Sequence, residues 1–248
     1  MNKASAALVI ANVVLKAGKR ALNERLRGGE IVGLAGLDGH GQEAFLAAAA
    51  GLERPLSGEV ALEVGGRTVP LRSFHSAARQ GVAYLPRDRR TAGIFPNLSV
   101  LDNFAIASLS RDLRLGFINF AARRRRFETF RQRLSVAAND LDGSIARLSG
   151  GNQQKVLLAR LLARNPVALL LNDPTRGVDV ATRGVLYRLF RELAGEGMTL
   201  GVLSTEIEVL TNLCDRVLVF RDYELTARLE GERLTTPQVI AAMFGEMA

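Results

Sequence analysis

Cysteine and histidine are too scarce in this sequence to build a disulfide framework or a zinc site. The single cysteine, Cys214, cannot form an internal disulfide, which suits a reducing compartment. The two histidines, His40 and His75, belong to no spacing that is typical of metal ligands. We therefore expect Cys214 to be a small core residue rather than a reactive thiol.

Long apolar runs are also missing. No stretch approaches the ~20 residues that a membrane-spanning helix needs. Residues 4–15, ASAALVIANVVL, resemble the apolar part of a signal peptide, but Asn12 interrupts them and no small-residue cleavage site follows. We favour an opening β-strand over a signal peptide here.

Acidic residues are fewer than basic ones, and the formal net charge is +8. Such an excess suits nucleic acid, anionic lipid or a polyphosphate ligand. It is densest at residues 122–134, ARRRRFETFRQRL, within a predicted helix. We interpret this segment as a solvated helix face rather than a dedicated phosphate-binding patch.

The composition is that of a globular α/β protein. The chain has 248 residues, of which 48% are hydrophobic, so a sizeable core can form. Strand-like and helical segments alternate, which predicts a largely parallel sheet covered on both faces. Residues 57–71 alternate like a short antiparallel hairpin. We predict a single domain over residues 1–248, with an arginine-rich helical insertion at about 97–148.

One stretch, GLDGHGQEAF at residues 36–45, stands between a predicted strand and a predicted helix. That is the context of the phosphate-binding pattern G-x-x-x-x-G-K-[ST]. Backbone N–H groups in such a loop favour an anion, although a tight turn without a ligand explains the glycines equally well. Gln42 replaces the lysine of the pattern, and Glu43 replaces its hydroxyl residue.

A second stretch, LLLNDPTRGVD at residues 169–179, is an apolar strand that delivers Asn172 and Asp173 to the carboxyl edge of the sheet. Ligands of α/β sheets collect at that edge. Asp173 fits two roles equally well. It is either a carboxylate that orients water or binds magnesium, or a cap for the helix that follows.

The motifs together resemble a known family. LSGGNQQKVLLARLLARNP at 148–166, followed by ALLLNDPTRGVD, closely resembles the signature helix and Walker B stretch of ATP-binding cassette (ABC) ATPases. LSGGNQQK with PTRGVD is similar to the second nucleotide-binding half of the tandem ATPases of monosaccharide importers. Residues 81–104 are similar to a segment of the same halves. The resemblance runs from about residue 7 to 245.

This resemblance implies a P-loop NTPase core of the ABC type, with an antiparallel β subdomain and an inserted helical subdomain. It implies ATP and Mg²⁺ as cofactors. The nucleotide-contacting positions that it implies are Gly36, Gly39, His40, Gly41, Gln42 and Glu43 in the loop, Arg87 at the Q-loop position, Ser149, Gly150, Gly151 and Asn152 in the signature, and Asp179 in the dimer-contacting D-loop. For His40 itself, an exposed loop side chain is the favoured interpretation.

Five chemical positions depart from the family pattern. Asn172 stands at the Walker B aspartate, Asp173 at the catalytic glutamate and Glu206 at the switch histidine, in addition to Gln42 and Glu43 in the loop. Glu43 and Asn172 are left as weak magnesium ligands. We expect ATP affinity to fall on the order of a thousandfold, and we expect Asp173, one methylene shorter than glutamate, to hold an attacking water badly.

Three functional interpretations follow. The first is a transport ATPase module on the cytoplasmic face of the membrane, bound to permease subunits and a second nucleotide-binding domain, and served indirectly by a substrate-binding protein. The second is a pseudo-ATPase that closes a dimer without hydrolysis. The third, a soluble ATPase acting on nucleic acid, is least favoured because no coiled coil, zinc module or second cassette is visible. The transported solute stays open, as does whether the chain is a lone subunit, a domain or a fragment.

Overall fold

The computed structural model describes residues 6–114 and 116–246. Its contacts divide them into two compact units. The first, which we call the sheet unit, contains the described residues up to Tyr84, residues 167–174 and those from Phe190 onward. The second, the helical unit, contains Leu85–Pro166 and Thr175–Leu189.

The regular elements alternate along the chain as the sequence predicts. In order they are β1 (Ala7–Val14), β2 (Leu22–Arg27), β3 (Ile31–Gly36), α1 (Gln42–Ala49), β4 (Ser57–Val64), β5 (Arg67–Pro70), α2 (Phe74–Arg79), β6 (Val82–Leu85), α3 (Val100–Ala105), β7 (Leu113–Arg114), β8 (Phe117–Ile118), α4 (Phe120–Arg133), α5 (Gly150–Leu162), β9 (Ala168–Asn172), α6 (Val180–Gly195), β10 (Thr199–Leu203), α7 (Ile207–Leu213), β11 (Arg216–Arg221), β12 (Glu224–Glu230) and α8 (Thr236–Phe244).

The largest sheet has six strands in the order β12-β11-β3-β10-β9-β6. The pairs β11–β3, β3–β10 and β10–β9 are parallel, and the β11–β12 hairpin is antiparallel. Strands β9 and β10 are buried at every position, which is why their sequences are almost continuously apolar. The predicted parallel sheet is confirmed.

A second sheet of four strands, in the order β2-β1-β4-β5, is antiparallel throughout. It confirms both the opening strand and the predicted hairpin. The core of the sheet unit draws on both sheets and on α1, and the rings of Phe45 and Phe220 meet there at 5.1 Å between centroids. Cys214 is buried, and burial raises the pKa of its thiol, which keeps it protonated and inert.

The helical unit packs α3, α4 and α5 around Phe104, whose ring lies 5.1 Å from that of Phe127. Helix α3 begins as its sequence indicates, because the Ser99 hydroxyl accepts a hydrogen bond from the Asp102 N–H at 3.0 Å. Within the described residues, no helix is long and apolar enough to span a membrane.

The arginine-rich helix α4 is not simply a solvated face, and that interpretation is wrong for two of its arginines. Arg123 is 3% exposed and forms salt bridges with Asp102 (2.7 Å) and Asp112 (3.2 Å). Arg126 pairs with Asp112 at 2.8 Å. Arg125, by contrast, is exposed. The inward arginines are therefore structural cations that neutralise a buried carboxylate.

Candidate functional site

The glycine loop between β3 and α1 has the backbone geometry of an anion-binding turn. Gly39 and Gly41 adopt left-handed conformations, with φ of 75° and 107°. At Gly41 a Cβ atom would lie 2.7 Å from the Cα of Tyr223, so only glycine fits there. The first N–H groups of α1 follow directly and favour an anion at this turn.

The side chain of Gln42 folds back onto this loop. It is 5% exposed, and its Nε2 donates hydrogen bonds to the carbonyl oxygens of Leu37 (2.9 Å) and Gly36 (3.3 Å). Its Oε1 lies over Gly36 and has no hydrogen-bond partner among the described residues. Gln42 therefore braces the loop but brings no positive charge to it.

Beside the loop lies a concavity of about 390 Å³, which we call the loop pocket. Its lining residues are Gly39, Gly41, Gln42, Glu43, Ala44, Ala47, Leu52, Glu53, Tyr84, Asn172 and Tyr223. Among these described residues Glu43 and Glu53 are acidic, and none is lysine or arginine. Burial raises the pKa of the Tyr84 phenol, and the nearby carboxylates of Glu43 and Glu53 raise it further. The charged side chains that line the pocket are therefore all acidic.

The two lysines near the loop pocket already interact with neighbouring side chains. The Lys16 ammonium lies 4.6 Å from the centroid of the Tyr223 ring and 3.9 Å from a carboxylate oxygen of Asp222. Lys19 forms a salt bridge with the same carboxylate. Asp222 thus offsets part of the positive charge that these lysines bring near the loop.

Asn172 ends β9 inside the loop pocket and is 8% exposed. Its Nδ2 donates to the Tyr84 hydroxyl at 3.3 Å, and its Oδ1 is buried with no partner among the described residues. Asn172 and Glu43 are the pocket residues that would supply oxygen ligands to a magnesium ion, which would need further ligands from elsewhere. Residues 6–114 and 116–246 contain no cluster of three or more acidic, histidine or cysteine side chains that could hold a metal.

Asp173 is held by protein donors at the end of β9. It is 3% exposed and has a φ of 49°. Its Oδ1 accepts hydrogen bonds from the N–H (2.8 Å) and the hydroxyl (3.2 Å) of Thr205, which follows β10. These bonds tie the carboxyl ends of two adjacent strands together. They occupy the carboxylate that the family pattern would present to water.

Glu206 and His40 bring little to the pocket. Glu206 is exposed at the beginning of α7, where its N–H donates to the Ser204 hydroxyl at 3.1 Å. His40 is half-buried rather than exposed, and its Nδ1 has no partner among the described residues. Neither side chain lines the loop pocket.

The signature segment in the helical unit is fully formed. Ser149 is exposed and caps α5, since its hydroxyl accepts hydrogen bonds from the N–H (3.4 Å) and the Nδ2 (3.0 Å) of Asn152. The Asn152 Oδ1 in turn accepts from the Ala137 N–H at 2.8 Å. Ser149 is therefore exposed at the helix N-terminus, whose partial positive charge suits an anion.

Asp179 caps α6, so the helix-cap role considered for Asp173 belongs to Asp179 instead. Its Oδ1 accepts from the Thr182 N–H at 2.8 Å, and this bond is the main reason that the pKa of Asp179 lies below its usual value. A Cβ atom at Gly151 would lie 2.7 Å from the Thr182 hydroxyl and 3.2 Å from the Asp179 carboxylate. Gly151 is thus required for the signature helix and this cap to approach closely.

Arg87 does not line the loop pocket. It lines a second concavity, which we call the arginine pocket, formed within the helical unit by Arg87, Asp88, Arg89, Arg90, Arg176 and Gly177. No sequence pattern indicates that residues 87–90 and 176–177 meet, because nearly ninety positions separate them along the chain. Thr205 and Tyr223 were likewise missed, since only the folded strands bring them to Asp173 and Gly41.

Comparisons with known proteins agree with these features. A sequence model of the family described as "ABC transporter" matches residues 20–176. The "Ribose import ATP-binding protein RbsA 1" of Rhizobium johnstonii is 42% identical over 219 residues, covering 88% of this chain and 42% of that relative. The "Ribose import ATP-binding protein RbsA 2" of Rubrobacter xylanophilus is 40% identical over 220 residues, covering 89% and 42%. The chain therefore spans less than half the length of these relatives.

Solved structures show the same fold. The ADP conformation of an ATP-binding cassette of an ABC transporter superposes with a TM-score of 0.77 at 17% identity, covering 97% of this chain and 99% of that one. A dimeric ATP-binding cassette in a post-hydrolysis state, bound to ADP and Pi, gives 0.74 at 22% identity, covering 90% and 98%. By its sequence motifs, its sheet order and these matches, the chain belongs to the ABC transporter family and has the fold of its ATP-binding cassettes.

Proposed function

We propose that this chain is the nucleotide-binding domain of an ABC importer for a sugar or a related small solute. Its own loop pocket binds ATP weakly, and its signature helix completes the ATP site of a second nucleotide-binding domain. One contrast carries this proposal. The loop pocket has two carboxylates and no lysine or arginine in its lining, whereas the N-terminus of α5 is capped, exposed and complete.

The weak affinity follows from charge. Replacing the loop lysine by Gln42 removes a charged hydrogen bond to phosphate, which contributes about 1.5–3 kcal/mol. A carboxylate such as Glu43 at ~5 Å from a phosphate charge repels it by roughly 3 kcal/mol at an effective dielectric constant near 20. Glu43 and Asn172 are the residues that would hold a magnesium ion, whose charge would offset part of this repulsion. The remainder corresponds to an affinity about a thousandfold below that of an intact loop.

The geometry of Asp173 favours a second candidate function, a non-hydrolysing module that closes a dimer. Thr205 donates to the Asp173 carboxylate through both its N–H and its hydroxyl. A general base must reach the water whose proton it accepts, and Thr205 already occupies part of the Asp173 carboxylate with hydrogen bonds. In this second function the chain contributes its signature to a partner and never turns over ATP itself.

The exposed apolar side chains of the helical unit suggest which proteins bind to it. Exposed apolar side chains mark interaction surfaces when they gather on one unit. The large ones exposed among the described residues of the helical unit are Phe95, Ile106, Leu109, Leu113, Phe117, Ile118, Phe120 and Val180. We infer that permease subunits contact this unit and hold the chain on the cytoplasmic face of the membrane. A substrate-binding protein then acts on the assembly from the far side of the permease.

The relatives with ribose import in their names support a monosaccharide as the solute. The chain corresponds to less than half of those proteins, so its second cassette lies either in a neighbouring domain or in a separate chain.

Hydrolysis assays test this function. The chain alone should hydrolyse ATP barely above background, and mixing it with a cassette that has lysine in its loop should raise turnover per partner site at least tenfold. Ser149→Ala should abolish the increase, while Ser57→Ala, at an exposed position of strand β4, should leave it unchanged. Rapid turnover by the unmixed chain would contradict the proposal.

A further inference from the structure

The arginine pocket is a strongly basic concavity in the helical unit. It encloses about 290 Å³ and is lined by four arginines, one aspartate and one glycine, all in the helical unit. Arg90 and Arg176 are exposed at its surface. Guanidinium groups are the side chains best suited to bind phosphate, because their planar N–H donors match two oxygens at once.

The single carboxylate in the pocket has another role. The Asp88 Oδ1 accepts hydrogen bonds from the N–H groups of Arg90 (2.8 Å) and Thr91 (3.2 Å), so it caps the turn of residues 89–93. The Thr91 N–H bond is the leading reason that the pKa of Asp88 lies below its usual value. One fixed carboxylate against four guanidiniums leaves the pocket with an excess of positive charge.

Arg89 shapes the floor of the pocket. Its Nη1 donates to the Arg176 carbonyl at 3.0 Å and its Nη2 to the Gly177 carbonyl at 3.4 Å. Its Nε is buried with no partner among the described residues. Burial and the neighbouring Arg90 both lower the pKa of Arg89, so its charge is incompletely compensated. An anion in the pocket would relieve that imbalance.

The pocket borders the signature helix. A Cβ atom at Gly150, the first residue of α5, would collide with the Arg89 guanidinium and lie 3.3 Å from the Gly177 carbonyl oxygen. Arg89 and the Gly177 carbonyl therefore adjoin the first residue of α5, within the same unit. The Arg89 guanidinium and the N-terminus of α5 both attract negative charge, and they do so side by side.

We propose that the arginine pocket is a binding site for phosphate groups, and that these belong to the ATP held by the second nucleotide-binding domain. The source of the phosphate rests on the proposed function, in which α5 faces a partner's triphosphate. Arg90 and Arg176 extend the anion site of the signature by direct contact with that triphosphate. A free polyphosphate would engage the same guanidiniums, and the experiments separate the two sources.

Direct binding tests the site itself. Inorganic tripolyphosphate titrated into the whole chain by calorimetry should bind at least tenfold more weakly to the Arg90→Gln/Arg176→Gln variant than to the wild type. The control Arg125→Gln/Arg233→Gln removes equal charge from exposed positions outside the pocket and should shift the affinity less than twofold. Equal affinity in both variants, or no binding to the wild type, would overturn the proposal.

Kinetics of this chain mixed with the lysine-bearing cassette identify which molecule supplies the phosphate groups. If the partner's ATP is the ligand, Arg90→Gln/Arg176→Gln should raise the KM for ATP at least fivefold while the control double variant does not. An unchanged KM combined with weakened tripolyphosphate binding keeps the phosphate site but assigns it to a free polyphosphate, which overturns the partner as source. If Ser149→Ala has no effect on turnover, the proposed function fails, and the titration still decides whether the pocket binds phosphate.

Discussion

At the scale of single residues, the loop pocket is governed by two adjacent side chains at the beginning of α1. Gln42 donates to the Gly36 and Leu37 carbonyls instead of reaching outward, and Glu43 adds a carboxylate to the lining. A lysine at position 42 would bring an ammonium to the same turn without altering the backbone. The loop frame itself, set by Gly39 and Gly41, is already in place.

Placing the lysine and hydroxyl residue of the phosphate-binding pattern at positions 42 and 43 should therefore strengthen ATP binding. We expect Gln42→Lys/Glu43→Thr to tighten Mg²⁺-dependent ATP binding at least a hundredfold, because it adds a cation and removes the repelling carboxylate. Equilibrium titration with ATP measures the effect. The control Gln238→Lys/Glu232→Thr makes the same charge change at exposed positions and should leave affinity unaltered. No gain in the loop variant would show that charge is not what weakens the site.

At the scale of elements, helix α4 is fixed to the helical unit by ion pairs as well as by its phenylalanines. Arg123 lies between Asp102 and Asp112, the second of which is 2% exposed. We expect Arg123→Gln to lower the free energy of unfolding by about 3 kcal/mol, because it leaves a buried carboxylate incompletely neutralised. Chemical denaturation gives the value. The control Arg125→Gln, two residues further along the helix and exposed, should lower the free energy of unfolding by less than about 0.5 kcal/mol.

A second ion-pair cluster joins β2 to β11 within the sheet unit. The Arg216 guanidinium bonds to Glu24 at 2.9 Å and to Glu30 at 2.5 Å. Burial by itself raises the pKa of Glu24. The hydrogen bond from the Arg25 N–H and the guanidiniums of Arg228 and Arg216 together bring it below its usual 4.5.

The direction of the Glu24 pKa shift determines how the free energy of unfolding depends on pH. Because the folded-state pKa of Glu24 is lowered, its stabilisation is complete above pH 4.5 and is lost as the pH falls through the folded-state pKa. We expect Glu24→Gln to lower the free energy of unfolding by about 2 kcal/mol at pH 7. The difference from the wild type should shrink on acidification. Denaturation series from pH 7 to pH 3 measure it, with exposed Glu232→Gln as the control. A constant difference across this range would rule out Glu24 as the titrating group.

At the scale of the whole molecule, the sequence predicts the fold well and the site unevenly. Continuous apolar strands and the strand–glycine–helix order indicate the parallel sheet, because burial on both faces dictates both patterns. Whether a polar side chain turns inward or outward depends on neighbours that are distant in sequence. That is why the buried Arg123, the Asp173–Thr205 bonds and the arginine pocket all required the folded chain.

The most direct test mixes this chain with a second cassette of the family. That cassette has an intact lysine-bearing loop but a disabled signature serine. Neither protein alone should hydrolyse ATP, since one lacks a competent loop and the other a competent signature. An equimolar mixture should recover turnover, because α5 of this chain completes the partner's site. Absence of turnover in a mixture that demonstrably forms dimers would contradict the account, as would rapid turnover by this chain alone.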